Sequence, residues 1–211
     1  MDQEKVWVSQ ILAGDQAVFA QLIEAYKNPV YNLCYRMLGT PMEAEDAAQE
    51  TFLRVYSRLH SYDPKRKLSS WVLSIASHYC IDRLRRRRMH TLSWDEIARW
   101  GPTTCESTHP EEGMRAQEER DQIARLLSIL PANYRLVLVL RYWEDLSYTE
   151  IAEITGSTES AVKSRLHRAR EMLAQRIIAE VPDYHEDSKE EHLLSGISRM
   201  REEEVVRNAL P

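Results

Sequence analysis

Three groups of residues in this sequence have the types and spacing to do chemistry. The first is a set of cations threaded with rings: Tyr62 precedes Lys65, Arg66 and Lys67, while Trp71 and Tyr79 lead to Arg83, Arg85, Arg86, Arg87 and Arg88. Aromatic faces beside cations suit an unpaired nucleic-acid strand, whose bases stack and whose phosphates seek positive charge. An arginine run alone also describes a solvated helix end, where the dipole favours cations. Trp71 and Tyr79 moreover have core spacing, so packing is the favoured role for both. In the second group, a helix from Thr158 to about Ile178 places Val162, Leu166, Ala169 and Leu173 on one side. Ser160, Ser164, His167 and Arg168 then lie opposite, with Lys163, Arg165 and Arg170 on the flanks. Short polar groups and an arginine near base edges, with cations on phosphates, are what a recognition helix presents to the major groove.

The third group is Glu43, Glu45, Asp46 and Glu50, carboxylates with no patterned histidine or nucleophile. A solvated face or a basic protein partner accounts for them better than acid–base catalysis. The sequence contains no Walker loop, dinucleotide glycine motif, HExxH or GxSxG, so no catalytic residue, cofactor or metal is expected. His78 and Cys80, two apart on a helix, diverge too far for a zinc pair. Cys34, Cys80 and Cys105 are odd in number and widely spaced, which predicts reduced, buried thiols.

These residues need helices to position them. Asp15 has the form of an N-cap before Val18, Phe19, Leu22, Ile23 and Tyr26, and Pro29 is expected to kink or restart that helix. Thr40-Pro41 with Glu43 forms a capping box opening a helix through Tyr56. Ser61-Tyr62-Asp63-Pro64 breaks it, and Ser69 or Ser70 caps a third helix ending in the arginines. From Met89 to Gly113 the periodicity disappears, and Gly101-Pro102 and His109-Pro110 supply breakers, which predicts a flexible linker. Helical pattern resumes at Ile123. Ser147-Tyr148-Thr149-Glu150 is a second capping box; with Thr155-Gly156-Ser157 as the stop and Thr158 as the next cap, it reads as a helix-turn-helix.

Composition agrees with an all-α chain: 211 residues hold 6 glycines and 8 prolines. The net charge of −5 hides strong segregation. Residues 61–94 carry eight Lys or Arg against two acids, whereas residues 95–121 carry eight acids against three. Two basic zones around an acidic connector suit a two-site polyanion binder. The expected division is 1–94, a first helical domain; 95–114, an acidic linker; 115–180, a helix-turn-helix domain; and 181–211, an acidic extension. Neither a secretory signal nor a membrane-spanning run is evident, so a cytoplasmic location without membrane insertion is expected.

At this point the chain resembles a family. Asp46-Ala47-Ala48-Gln49-Glu50-Thr51-Phe52-Leu53-Arg54-Val55-Tyr56, then Leu68-Ser69-Ser70-Trp71 and Asp82-Arg83-Leu84-Arg85-Arg86, look like region two of the extracytoplasmic-function (ECF) sigma factors. Leu146-Ser147-Tyr148-Thr149-Glu150-Ile151-Ala152 and Val162-Lys163-Ser164-Arg165-Leu166-His167-Arg168-Ala169-Arg170 look like their region four. The resemblance, over roughly residues 15 to 178, implies a factor that binds core RNA polymerase at the β′ clamp and β flap and confers promoter specificity. It implies docking through Asp46, Gln49, Glu50 and Leu53. Opening and reading of the minus-ten element would fall to Tyr62, Lys65, Arg66, Lys67, Trp71, Ser74, His78, Arg83, Arg85 and Arg86. The minus-thirty-five duplex would be read by Thr158, Ser160, Lys163, Ser164, Arg165, His167, Arg168 and Arg170. An anti-sigma factor is the implied inhibitory partner. Leu68 stands where the family usually has Phe, His78 where Asn is common, and Ser157 where an apolar turn residue is usual, so no base preference at minus ten carries over. A helix-turn-helix regulator acting alone would explain Ser147 to Ile178 but leave Asp46 to Tyr56 and Trp71 to Arg88 unexplained.

Overall fold

The computed structural model describes residues 3–93 and 123–180, with side chains at 3–87 and 123–176. Helix α1 (Gln3–Leu12) precedes the first expected element and packs Val8 and Ile11 inward. The Tyr26 hydroxyl donates to Glu4 Oε1 at 2.5 Å, tying α1 to the next helix. As expected, Asp15 caps α2 (Gln16–Leu38), accepting from the backbone N–H groups of Ala17 and Val18. Pro29 does not restart this helix, which runs through it unbroken. Proline removes the bond to the Ala25 carbonyl, but burial of Val30, Leu33 and Met37 on the following turns outweighs that loss. Gly39 ends α2 at φ 89°, a left-handed conformation that favours glycine.

Thr40 caps α3 (Pro41–Arg58), accepting from the Glu43 N–H, while its hydroxyl donates to Glu43 Oε2. A 3-10 turn (Leu59–Ser61) and the loop after it lead to α4 (Leu68–Ser93). α4 starts at Leu68, ahead of the expected serine caps, and continues past Arg88, so Met89 to Ser93 belong to the helix and not to the connector. The remainder of the expected linker up to residue 113 and the extension 181–211 lie outside the described residues. Leu22, Leu33, Ala44, Val55, Leu68 and Val72 interlock α2, α3 and α4 in a fully buried core.

The second unit comprises α5 (residues 123–128), α6 (Ala132–Tyr142), α7 (Tyr148–Thr155) and α8 (Glu159–Glu180). Val162, Leu166, Ala169 and Leu173 of α8 are buried along with Ile151 and Ile154 of α7, the packing that the helical spacing predicts. α6 behaves differently from an amphipathic surface helix, because every residue from Arg135 to Leu140 is buried. A helix covered all round needs neighbours on both sides. It has α7 and α8 on one and α2 and α4 of the first unit on the other, so the two cores run together at α6.

Arg135 fastens this junction. Its Nη1 donates to the Met37 carbonyl at the end of α2, and its Nη2 donates to the carbonyls of Ser128, at 2.8 Å, and Leu130, at 3.2 Å. Carbonyls in the last turn of a helix lack intrahelical partners and favour a cation. Burial, with the neighbouring Arg87 charge, pulls the guanidinium down to about 10, which leaves it protonated at neutral pH. Beside it Arg36 of α2 lies 5.0 Å from the Trp143 ring centre and 3.9 Å from Glu144. Arg135→Ala should cost about 3 kcal/mol of stability in urea unfolding, since it leaves buried carbonyls unpartnered. Arg135→Lys, which keeps the charge but not the fork, should recover part of that loss.

Candidate nucleic-acid interface

The turn between α7 and α8 is set by local chemistry. Ser147 Oγ accepts from the Glu150 N–H, and Glu150 Oε2 accepts from the Ser147 N–H at 2.9 Å, a complete capping box. Gly156 closes α7 at φ 59°, and Thr158 Oγ1 accepts from the Ala161 N–H to start α8. With Val162, Leu166 and Ala169 anchored, Thr158, Ser160, Lys163, Ser164, His167 and Arg168 are exposed on one continuous surface. Arg165 and Arg170 are half-buried at its edges, Arg170 beside the Tyr142 hydroxyl. His167 approaches Glu171 at 3.6 Å. Tyr148 is a contributor that the sequence reading left unassigned. Its ring lies between Arg141, 5.3 Å from the centroid, and Lys163, at 5.5 Å, so it holds two cations at the edge of the exposed face of α8. The signal was present in its place at the first position of α7, next to the cap.

The aromatic-basic zone is less open than its composition implies. Tyr62 and Trp71 are buried against each other, with ring centres 5.3 Å apart, and the Tyr62 hydroxyl donates to the Arg66 carbonyl at 2.5 Å. These rings shape the loop from inside, so in this conformation neither offers a face to a base. Asp63 Oδ1 accepts from the Lys65 N–H, and the Asp63 carbonyl from the Arg66 N–H, which folds the loop into a tight turn. Lys65 points to solvent. Arg66 instead lies 3.3 Å from Glu153 and Lys67 lies 2.8 Å from Glu150, both acids being on α7. The Lys67 contact and the Ser147 cap hold the Glu150 carboxyl down at about 2, and Glu150 raises Lys67. Glu150 lies below its ordinary value of 4.5, so its contribution to stability is complete above that pH and is lost as pH falls through about 2. On α4, Ser74 is half-buried and donates to the Trp71 carbonyl, while exposed His78 donates from Nδ1 to the Ser74 carbonyl.

The arginine run divides by helical spacing. Arg83 and Arg87, one turn apart, turn inward onto Glu43, a nearly buried carboxylate of α3; Arg83 lies 3.5 Å from it and also 3.8 Å from Asp46. Arg85 and Arg86 face solvent, with Arg85 pairing to Asp82 at 3.1 Å. Thus Arg83 braces α3 against α4, while Arg85 and Arg86 remain accessible to solvent. Among the residues expected to dock, Asp46, Gln49 and Leu53 share an exposed stripe of α3 with Met42 and Tyr56, which the sequence reading did not place there; Leu53 is 66 % and Met42 72 % exposed. Glu50 sits beside that stripe, bonded to Arg54 at 2.7 Å.

Cys34 and Cys80 are buried free thiols, and the Cys80 neighbour together with burial pushes Cys34 up. His78 is exposed and Cys80 buried, so the two do not converge. Among the described residues no group of His, Cys, Asp or Glu could hold a metal ion, and no helix is long and apolar enough to cross a membrane. The Glu43 brace gives a direct expectation. Glu43→Gln should lower the unfolding free energy by about 1–2 kcal/mol in urea titration, because two guanidinium groups lose a charged acceptor but can turn to water.

Residues 22–89 match the family model for Sigma-70 region 2, and residues 120–173 match that for Sigma-70 region 4. The ECF RNA polymerase sigma factor SigW of Bacillus subtilis is 38 % identical over 176 residues, covering 81 % of this chain and 94 % of the relative. CnrH, solved in complex with the cytosolic domain of CnrY, superposes with a TM-score of 0.64 at 23 % identity, covering 84 % of this chain and 99 % of that one. The sigma factor RpoE of Bartonella quintana, solved with the anti-sigma factor NepR, gives 0.59 at 20 %, covering 79 % and 98 %. These two likenesses concern the fold, and the sequence matches carry the assignment: the chain belongs to the ECF group of RNA polymerase sigma factors.

Proposed function

We propose that the chain binds core RNA polymerase and directs initiation at specific promoters, with the reading of DNA divided between its two units. The observation that carries this reading is the presence, in one chain, of an acidic-apolar stripe on α3 and a capped helix-turn-helix with a one-sided cation surface on α8. A regulator acting alone on duplex DNA has no use for the first. In this assignment residues 1–94 dock on polymerase and handle the minus-ten element, 115–180 read the minus-thirty-five element, 95–114 connect them, and 181–211 form an acidic extension. Asp46, Gln49, Glu50 and Leu53 contact the β′ clamp, the second unit contacts the β flap, and the protein works in the cytoplasm. No reaction is assigned to the chain itself. An anti-sigma factor is a fitting inhibitor, since the RpoE structure holds one. Run-off transcription with core enzyme on a promoter library tests the whole reading; no promoter-specific transcript would overturn it.

Asp46→Ala with Glu50→Ala should weaken competition for core polymerase while leaving helicity intact by circular dichroism, because exposed carboxylates facing a basic surface act mainly through charge. Unchanged competition removes the docking assignment. On the DNA side the two zones should fail differently. Arg168→Ala should relax sequence preference at one minus-thirty-five position by about 1–3 kcal/mol, as a base-edge contact does. Lys163→Ala should weaken binding evenly across sequences and reduce the salt slope. Lys65→Ala with Arg66→Ala should spare closed-complex formation yet impair opening, as read by permanganate reactivity of unpaired thymines, and a premelted template should rescue it.

A further inference from the structure

Two of the three cations of the loop before α4 are spoken for by the molecule itself. Arg66 and Lys67 reach from the first unit to Glu153 and Glu150, one helical turn apart on α7. From this geometry we infer that α7 is a built-in polyanion mimic: its two carboxylates occupy, in the free protein, the places on the loop that strand phosphates take when DNA is bound. This rests on the reading of the loop as a strand-binding element and concerns how that element is kept silent.

The mimic has features that a chance surface pair lacks. Isolated exposed ion pairs contribute little, partly because both side chains must be ordered to form them. Here one partner is ordered beforehand. Glu150 gives Oε2 to the Ser147 backbone and hydroxyl and presents Oε1 to Lys67, so a single carboxylate caps α7 and holds the loop cation with separate oxygens. The loop is likewise fixed, by the Asp63 turn and the Tyr62 bond to the Arg66 carbonyl. The relative position of the two units is set independently by Arg135, Arg36 and the buried α6. The ion pairs can therefore break without the units parting, and a competing polyanion needs to displace two carboxylates, not an interface. Lys65, on the same loop, faces away into solvent and stays available for a first encounter.

The test uses the full chain, free of DNA and polymerase. Acylation by a water-soluble N-hydroxysuccinimide ester, followed by peptide mass spectrometry, compares Lys67 with Lys65 as an internal control. At low salt Lys67 should react about two- to fivefold more slowly than Lys65, the upper part of the range that exposed pairs give. Glu150→Gln with Glu153→Gln should bring the two rates together while keeping the cap, since glutamine serves in a capping box. The same double variant should bind a short single-stranded oligonucleotide about three- to tenfold more tightly by fluorescence anisotropy, with the advantage vanishing at high salt. Glu153→Gln alone, remote from the cap, should give a smaller gain in the same direction and decides the matter if the double variant loses helicity. Equal acylation of Lys65 and Lys67 in the unmodified chain, or unchanged oligonucleotide affinity in both variants, overturns the mimic. Neither result touches the sigma assignment, which stands or falls with promoter-specific transcription by the unmodified protein.

Discussion

A single buried guanidinium decides how the two halves of this protein meet. Arg135 collects carbonyls from the end of α2 and from the α5–α6 turn, groups that would otherwise be left without donors where water is excluded. No carboxylate is needed, because helix termini supply the negative ends. Beside that fork Trp143 and Glu144 lie against Arg36, and the start of α7 lies over the loop before α4. The salt bridges across the two units follow from this placement and could not set it by themselves.

Charge in the first unit is arranged with the same economy. The α3 carboxylates and α4 arginines face each other with helical spacing, so Arg83 and Arg87 hold two helices together while Arg85 and Arg86 face solvent. Glu43 links three tasks: it sits in the first turn of α3, bonds to its cap and anchors Arg83 and Arg87. A long cationic stretch would repel itself if every member faced the same way; alternating inward and outward partners relieves this. Among the described arginines of the run, Arg85 and Arg86 face solvent while Arg83 and Arg87 are engaged on Glu43.

What could be read from the sequence was what depends on neighbours in the chain. Asp15, Thr40, Ser147, Gly156 and Thr158 were legible as helix boundaries because capping and left-handed glycine are local chemistry, and the inward face of α8 followed from spacing alone. The reading went astray where tertiary burial or a missing breaker decides. Pro29 stays within α2 because the turns after it are buried, and α4 reaches Ser93 because nothing from Met89 onward obliges a helix to stop. α1 went unassigned because Val6, Trp7 and Val8 obscure the simple spacing of Val8 and Ile11. The candidate site was legible as residue types, but its partition was not. Lys67 and Glu150 are far apart in the chain, and no periodicity pairs them; likewise Tyr62 has a ring suited to stacking, yet the loop uses it as its own core, whereas core spacing had already given Trp71 its packing role.

The burial of α6 on every side sets a condition on any state in which the two units separate. Leu136 to Leu140 cannot all be covered by α7 and α8, so parting the units wets a strip of aliphatic surface on α6 and its counterpart on α2 and α4. Such a surface is unfavourable in water and adhesive toward other apolar faces. An extended form would therefore need a larger partner to shield that strip, and without one the same burial favours the closed arrangement.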